Sequence, residues 1–361
     1  MNSIYSQQTG RIEPKGINHK IESFLRRFAY SEHSMIGSEV RDEVWYSSEG
    51  KGAVPYTSRA GIWIVAGDTL AADCDIAEVT REFVAHARRH GKVVAFLPAT
   101  ERFAKQMCGG GVRIVRIAAA PYFDLTIWNP RGNVAKHLRS SINRARRSGL
   151  TVAPVDDLSS EFRSEAAGLL SAWSGSRRAG IAFGWLFAMR PFHDADTKRY
   201  VSARTPDGKL VGLLVASPIP TREGWYLEDV LRADDAPRGT ADLLVYETFR
   251  TLALEGAKLA TLGSVPLCEE RGGPPISLGN NRLLEGLLRI TPRVLRRIYN
   301  FTGLQQFKSK FVPSWWENEY AVVSSGRFLS PRVANAVLGV AIPGGILHLI
   351  FLLTTSAITD L

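Results

Sequence analysis

The sequence holds only three cysteines in 361 residues, Cys74, Cys108 and Cys268. They are far apart, form no C-x-x-C pair and have no histidines at ligand spacing. That excludes a disulfide framework and a zinc site, leaves no metal expected, and fits a reducing cytoplasm. Also missing are a Walker phosphate loop, a Rossmann glycine fingerprint and a G-x-S-x-G nucleophile elbow. His86 and His90 lie four apart but lack an H-E-x-x-H frame, so they read as surface residues. Acids are the minority charge, 35 Asp and Glu against 45 Lys and Arg, for a formal net charge of +10. A chain this basic is expected to meet an anionic partner: nucleic acid, an anionic membrane surface or a phosphorylated small molecule. The polar first 20 residues lack the apolar stretch of a signal peptide, which argues against export.

What is present is ordinary globular chemistry, 45% hydrophobic and 22% charged, enough for a sizeable core in one large or two smaller domains. After a flexible leader (1–20), a helical pattern begins at Ile21. Strand patterns at 60–67, 92–99 and 113–125 then alternate with a helical pattern at 75–91. Residues 133–150 read as a helix capped by Asn133, with Leu138, Ile142 and Ala145 on one face and Gly149 closing it. A second run follows: a helix across 160–174, strands at 198–205 and 210–219 joined by the turn "PDGK", a strand at 224–232, a helix at 240–257 and a strand at 258–263. The element order predicts two tandem α/β lobes, 21–150 and 151–325, each a mixed sheet flanked by helices, and then an apolar tail at 326–361. Within that tail, 333–358 is a 26-residue run without Asp, Glu, Lys or Arg, long enough for the ~30 Å core of a bilayer. Pro343-Gly344-Gly345 interrupts it, so membrane association, a buried helical hairpin and an oligomer contact are all open readings.

Between the 224–232 strand and the 240–257 helix lies "DVLRADDAPRGTAD" (229–242). A strand, a glycine-containing loop and a helix start leave free backbone N–H groups at the positive end of a helix dipole, where an anion fits. Gly239 would let a ligand approach the backbone, Arg238 adds a cation, Thr240 can cap, and Asp242 in the first turn favours the helix. A capped, solvated loop gives the same pattern. Glu228 and Asp229 at the strand end are candidates for a general base or for holding a substrate ammonium, and Asp229 with Arg232 could equally form a structural ion pair. Two stretches are strongly basic. One holds Lys136, Arg139, Arg144, Arg146 and Arg147 without an acid. The other, 282–310, includes Arg293, Arg296, Arg297, Lys308 and Lys310 interleaved with aromatics, a pattern that suits phosphate backbones and lipid headgroups as well as a solvated helix.

Four ordered stretches, "LRSSINRARRSGL" (138–150), "DVLRADDAPRGTADLLV" (229–245), "TLGSVPL" (261–267) and "IYNFTGLQQFKSKFVPSWWENEYAVV" (298–323), resemble the C-terminal synthase domain of bacterial phosphatidylglycerol lysyltransferases of the multiple-peptide-resistance-factor type. The resemblance implies tandem acetyltransferase-like (GNAT) lobes. It implies transfer of an aminoacyl group from a charged tRNA, a co-substrate rather than a cofactor, to a hydroxyl of phosphatidylglycerol or a similar anionic amphiphile at the cytoplasmic face of the inner membrane. Carried onto matching positions, it assigns the site to Asp229, Arg232, Arg238, Gly239, Thr240, Asp242, Lys308 and Lys310. Glu228 joins Asp229 and Arg232 as a catalytic candidate. Lys136, Arg139, Arg144, Arg147, Arg293, Arg296 and Arg297 form the expected tRNA or lipid surface. The stretch 174–200 departs from the family pattern, and the multi-span half of full-length members is absent from this sequence, so the tail at 326–361 would help to reach lipid. An acyl-CoA acyltransferase, for which "RGTA" is a partial fingerprint, and a non-catalytic anionic-lipid-binding protein are the alternatives.

Overall fold

Thirteen strands join in a single sheet in a computed structural model that describes residues 19–39, 41–59, 61–109, 111–176, 189–266, 268 and 301–324. The first half supplies helices α1 (His19–Phe28) and α2 (His33–Glu39), then strands β1 (Glu43–Tyr46), β2 (Gly52–Arg59), β3 (Ile62–Val65) and β4 (Leu70–Ala71). Helix α3 (Ile76–Arg89), β5 (Val93–Thr100), α4 (Glu101–Met107) and the long β6 (Arg113–Asp124) follow. The second half runs α5 (Lys136–Arg147), β7 (Thr151–Pro154), α6 (Ser160–Ser176), β8 (Arg199–Arg204), β9 (Leu210–Ile219) and β10 (Gly224–Arg232). It ends with α7 (Thr240–Leu254), β11 (Leu259–Thr261), β12 (Val265–Pro266), α8 (Phe301–Ser309) and β13 (Trp315–Val323).

The mixed sheet flanked by helices is the fold class expected from the sequence, but the two halves are fused edge to edge. The strand order is β1-β2-β3-β5-β13-β6-β11-β10-β9-β8-β7. Two elements cross the expected boundary at residue 150. The last described strand, β13, threads between β5 and β6 of the first half, antiparallel to both, and buries Tyr320 and Val322 in the first-half core. Helix α5 packs instead in the second-half core, where Leu138, Ile142 and Ala145 meet Leu214, Leu244 and Phe249. Its N-cap is Ala135 rather than Asn133, whose carbonyl accepts from the Lys136 backbone N–H. The expected tail at 326–361 lies outside the described residues. Among those described, no helix is long and apolar enough to cross a membrane.

Two irregularities in β10 create the site. Its antiparallel register with β9 slips between Leu227 and Asp229, a bulge at Glu228. On the other side β10 pairs in parallel with β11 over only Gly224–Tyr226, and then the chain leaves the ladder as Gly263 turns with φ 73° toward β12, which joins β6. Among the described residues, β10 from Leu227 onward therefore has a strand partner on one side only, and the sheet splays open there. Tyr226 props this opening: a Cβ at Gly263 would lie 2.4 Å from its ring, so only glycine fits there.

Candidate functional site

In an undisturbed strand neighbouring side chains alternate faces, so Glu228 and Asp229 would point apart. The bulge removes that separation. Leu227 still packs toward α5 and α7, and Leu231 toward α6. Ser217, two residues beyond Val215 on β9, lies on the α6 face, and its hydroxyl donates to Glu228 Oε2 at 2.7 Å. Asp229, paired with Val215, faces the same way. Two adjacent carboxylates thus share one side of the sheet at the mouth of the splay.

Into this corner comes Lys198, the residue before β8, fixed by the short turn Ala195–Thr197 whose first carbonyl accepts from the Lys198 backbone N–H. Its ammonium, with a side chain only 2% exposed, lies 2.7 Å from Glu228 Oε1 and 3.0 Å from Glu39 Oε1 at the end of α2. Burial pushes Glu39 up to about 7, with Glu228 adding to the effect and Lys198 opposing it. Burial would lower the Lys198 pKa, but Glu228 and Glu39 outweigh it and raise it. Asp229 has no hydrogen bond or ion pair among the described residues. Burial and then the charge of Glu228 push it up to about 8, against the pull of Lys198. The corner holds three buried carboxylates and one buried lysine, with the more exposed His193 and Asp194 at its edge, so it is complementary to a cation.

A second polar cluster lies on the other lip of the splay. Lys308 in α8 is buried and donates to the carbonyls of Gly263 and Ser264 at 2.7 and 2.9 Å, and burial lowers it to about 8. His33 Nε2 meets Ser264 Oγ at 2.9 Å and Glu319 Oε1 at 3.0 Å. Both contacts fall on one ring nitrogen, so this is not a relay in which a base is oriented through its second nitrogen. Glu32 accepts from the Tyr122 hydroxyl at 2.6 Å. Glu32, His33 and Glu319 offer donor atoms within 4.8 Å of one another, as do Glu39, His193 and Asp194, and these are the described groups able to hold a metal ion. Tyr226 stands between the two clusters, with its ring 6.2 Å from that of His33 and burial followed by Glu228 raising its phenol pKa.

The structure brings together only part of the set expected from the sequence. Glu228, Asp229 and Lys308 line the two sides of the splay. Arg232 and Arg238 are exposed; among the described residues Arg232 donates only to the Ala233 carbonyl. The N-terminus of α7 is covered. Gly239, its N-cap at φ 97°, sits so close to α5 that a Cβ would lie 2.4 Å from the Ser141 carbonyl oxygen. Its freedom therefore serves helix packing rather than ligand approach. Thr240 donates to the Pro237 carbonyl instead of capping. Asp242 is held by the Ser141 hydroxyl and by Lys310 at 2.5 Å, so Lys310 neutralises an internal acid. Lys136, Arg144 and Arg147 are exposed on α5, while Arg139 donates to the carbonyls of Pro130 and Gly132. Arg293, Arg296 and Arg297 lie outside the described residues. Glu39, Lys198, Ser217, Tyr226, His33 and Glu319 carried no sequence signal.

A model of the C-terminal region of phosphatidylglycerol lysyltransferases matches residues 26–323, most of the chain. The chain belongs to this family. It is 24% identical over 333 residues to the phosphatidylglycerol lysyltransferase of Bacillus subtilis, covering 91% of this chain and 37% of that protein. With the bifunctional lysylphosphatidylglycerol biosynthesis protein LysX of Rhodococcus jostii it shares 26% identity over 306 residues, covering 81% of this chain and 26% of the relative. The chain thus spans about a quarter to a third of the length of these relatives. Two solved structures share the fold. L-PGS from Bacillus licheniformis has a TM-score of 0.70 at 20% identity, covering 94% of this chain and 96% of that one. The C-terminal domain of a putative lysylphosphatidylglycerol synthetase from Agrobacterium fabrum has a TM-score of 0.68 at 23% identity, covering 85% and 91%.

Proposed function

We propose that this protein moves an aminoacyl group from a charged tRNA to a hydroxyl of phosphatidylglycerol or a similar anionic amphiphile, at the cytoplasmic face of the membrane. The observation that carries the reading is Asp229, a buried carboxylate with no partner among the described residues, held by the bulge at the opening of the sheet. It takes the α-ammonium of the aminoacyl ester and so fixes the carbonyl in the splay. The acceptor oxygen attacks that carbonyl carbon, and the bond to the ribose oxygen breaks. The proton of the acceptor hydroxyl passes to the ribose oxygen. Lys308, fixed by two carbonyls on the opposite lip, supplies positive charge toward the developing oxyanion. The exposed cations Arg232, Arg238, Lys136, Arg144 and Arg147 give tRNA or lipid phosphates a basic approach.

The acyl-CoA reading needs a free helix N-terminus for a pyrophosphate, and the contact of Gly239 with Ser141 fills that place. The test is lipid extraction and mass spectrometry from cells making the full chain, beside an Asp229→Ala control. Aminoacylated lipid in the first and none in the second supports the reading. Equal lipid binding by both proteins with no new lipid in either favours a non-catalytic lipid binder instead.

A further inference from the structure

We propose that the site selects aminoacyl groups whose only positive charge is the α-ammonium, because a lysine of this chain, Lys198, already occupies the cation position between Glu39 and Glu228. The inference rests on the aminoacyl-transfer reading above. Of the three carboxylates in the corner, two are committed. Glu228 holds Lys198 through one oxygen and the Ser217 hydroxyl through the other. Glu39 shares the same ammonium, with His193 Nδ1 at 3.9 Å as a further neighbour. Asp229 alone is uncommitted among the described residues, and one substrate ammonium completes it.

A second ammonium, such as that of a lysyl side chain, would have to displace Lys198 or compete for the half-exposed Asp194, which His193 Nδ1 already approaches at 3.4 Å. Displacement is opposed by the anchoring of the segment. The Ala195–Thr197 turn fixes the Lys198 backbone, and the Tyr200 hydroxyl donates to the Pro191 carbonyl at 2.6 Å. Lys198 also lies in the stretch where this sequence departs from the family pattern.

The test presents the full chain with phosphatidylglycerol vesicles and tRNA charged, in parallel, with alanine, serine, lysine or arginine, and reads the lipid products by mass spectrometry. Neutral aminoacyl groups are expected to be transferred with kcat/KM on the order of a hundredfold above lysyl and arginyl, the penalty for an unpaired buried charge. Lys198→Met frees both acids and should raise the lysyl-to-alanyl ratio by about tenfold or more, whereas Lys198→Arg keeps the resident cation and the original preference. Lysyl lipid as the main wild-type product overturns the inference while leaving the transfer reading intact. Absence of product from every charged tRNA overturns both. The wild-type product spectrum decides the matter even where Lys198→Met does not fold.

Discussion

Replacing Asp229 with asparagine should make the protein more stable in mild alkali, the reverse of what removal of a buried hydrogen-bonded acid does. In the folded chain its pKa is raised from an ordinary 3.8 to about 8 by burial and by Glu228. A carboxyl with a raised folded pKa lends stability that is fully present below the unfolded value and is lost as pH rises through the folded one. The window is therefore about pH 4 to 8. At ~1.4 kcal/mol per pH unit, the loss between pH 5 and 8 comes to roughly 4 kcal/mol, and because Asp229 shares its titration with the neighbouring acids the expected loss is about 2–4 kcal/mol. Asparagine keeps the shape and removes the charge. Denaturant unfolding followed by the fluorescence of the eight tryptophans should show the stability of the Asp229→Asn protein relative to wild type rising by at least about 2 kcal/mol between pH 5 and pH 8. Glu39, raised to about 7, leaves a shallower slope of the same sign in both. Parallel pH curves, or an asparagine variant weaker at pH 8, would refute the picture of an uncompensated carboxylate.

Gly239→Ala should cost about 3 kcal/mol or more from backbone strain and the clash with Ser141. An unchanged melting temperature would return this glycine to the ligand-approach role that its motif implied. Lys310→Ala should cost roughly 1–2 kcal/mol by leaving Asp242 short of its counter-ion, with KM for either substrate unmoved; a raised KM would put Lys310 in the site after all. Arg238→Ala should leave thermal stability within about 0.5 kcal/mol, and in a vesicle assay it should weaken transfer most at low ionic strength; the same loss at high salt would contradict an approach role. Arg222 forms a two-pronged pair with Glu317 at 2.6 and 3.0 Å while lying over the Tyr122 ring. Arg222→Met should destabilise by about 2–4 kcal/mol, and a neutral result in calorimetry would show that this join between β13 and the second half contributes little.

Much of the scaffold was legible because periodicity is a local property. The faces of α5 and α7, the hairpin between β8 and β9, and the β10 run all follow from residues close in sequence. Strands β1 and β2 are not legible in the same way, because Gly50, Gly52 and Pro55 break the alternation that marks a strand. At the site, acids at a strand end drew attention to Glu228 and Asp229, but nothing linear announces a bulge, and without it the two would face opposite ways. Lys198 and Glu39 stand in unremarkable text, "DTKRY" and "GSEV". Their significance is burial of charge, a property that exists only once distant segments meet. Gly239 shows a related limit: the sequence implies that a side chain is excluded there, not whether a ligand or the Ser141 carbonyl excludes it.

The path of β13 dictates an order of assembly. While the nascent chain leaves the ribosome, β5 and β6 have no neighbour between them, and the missing strand is translated only after the whole second half. Until then the first half carries two unsatisfied edges, the kind of surface that invites pairing with foreign chains. Maturation is thus a closing step in which one late segment locks both halves at once. A protein split between its halves would have to recover activity by strand donation rather than by docking of finished lobes.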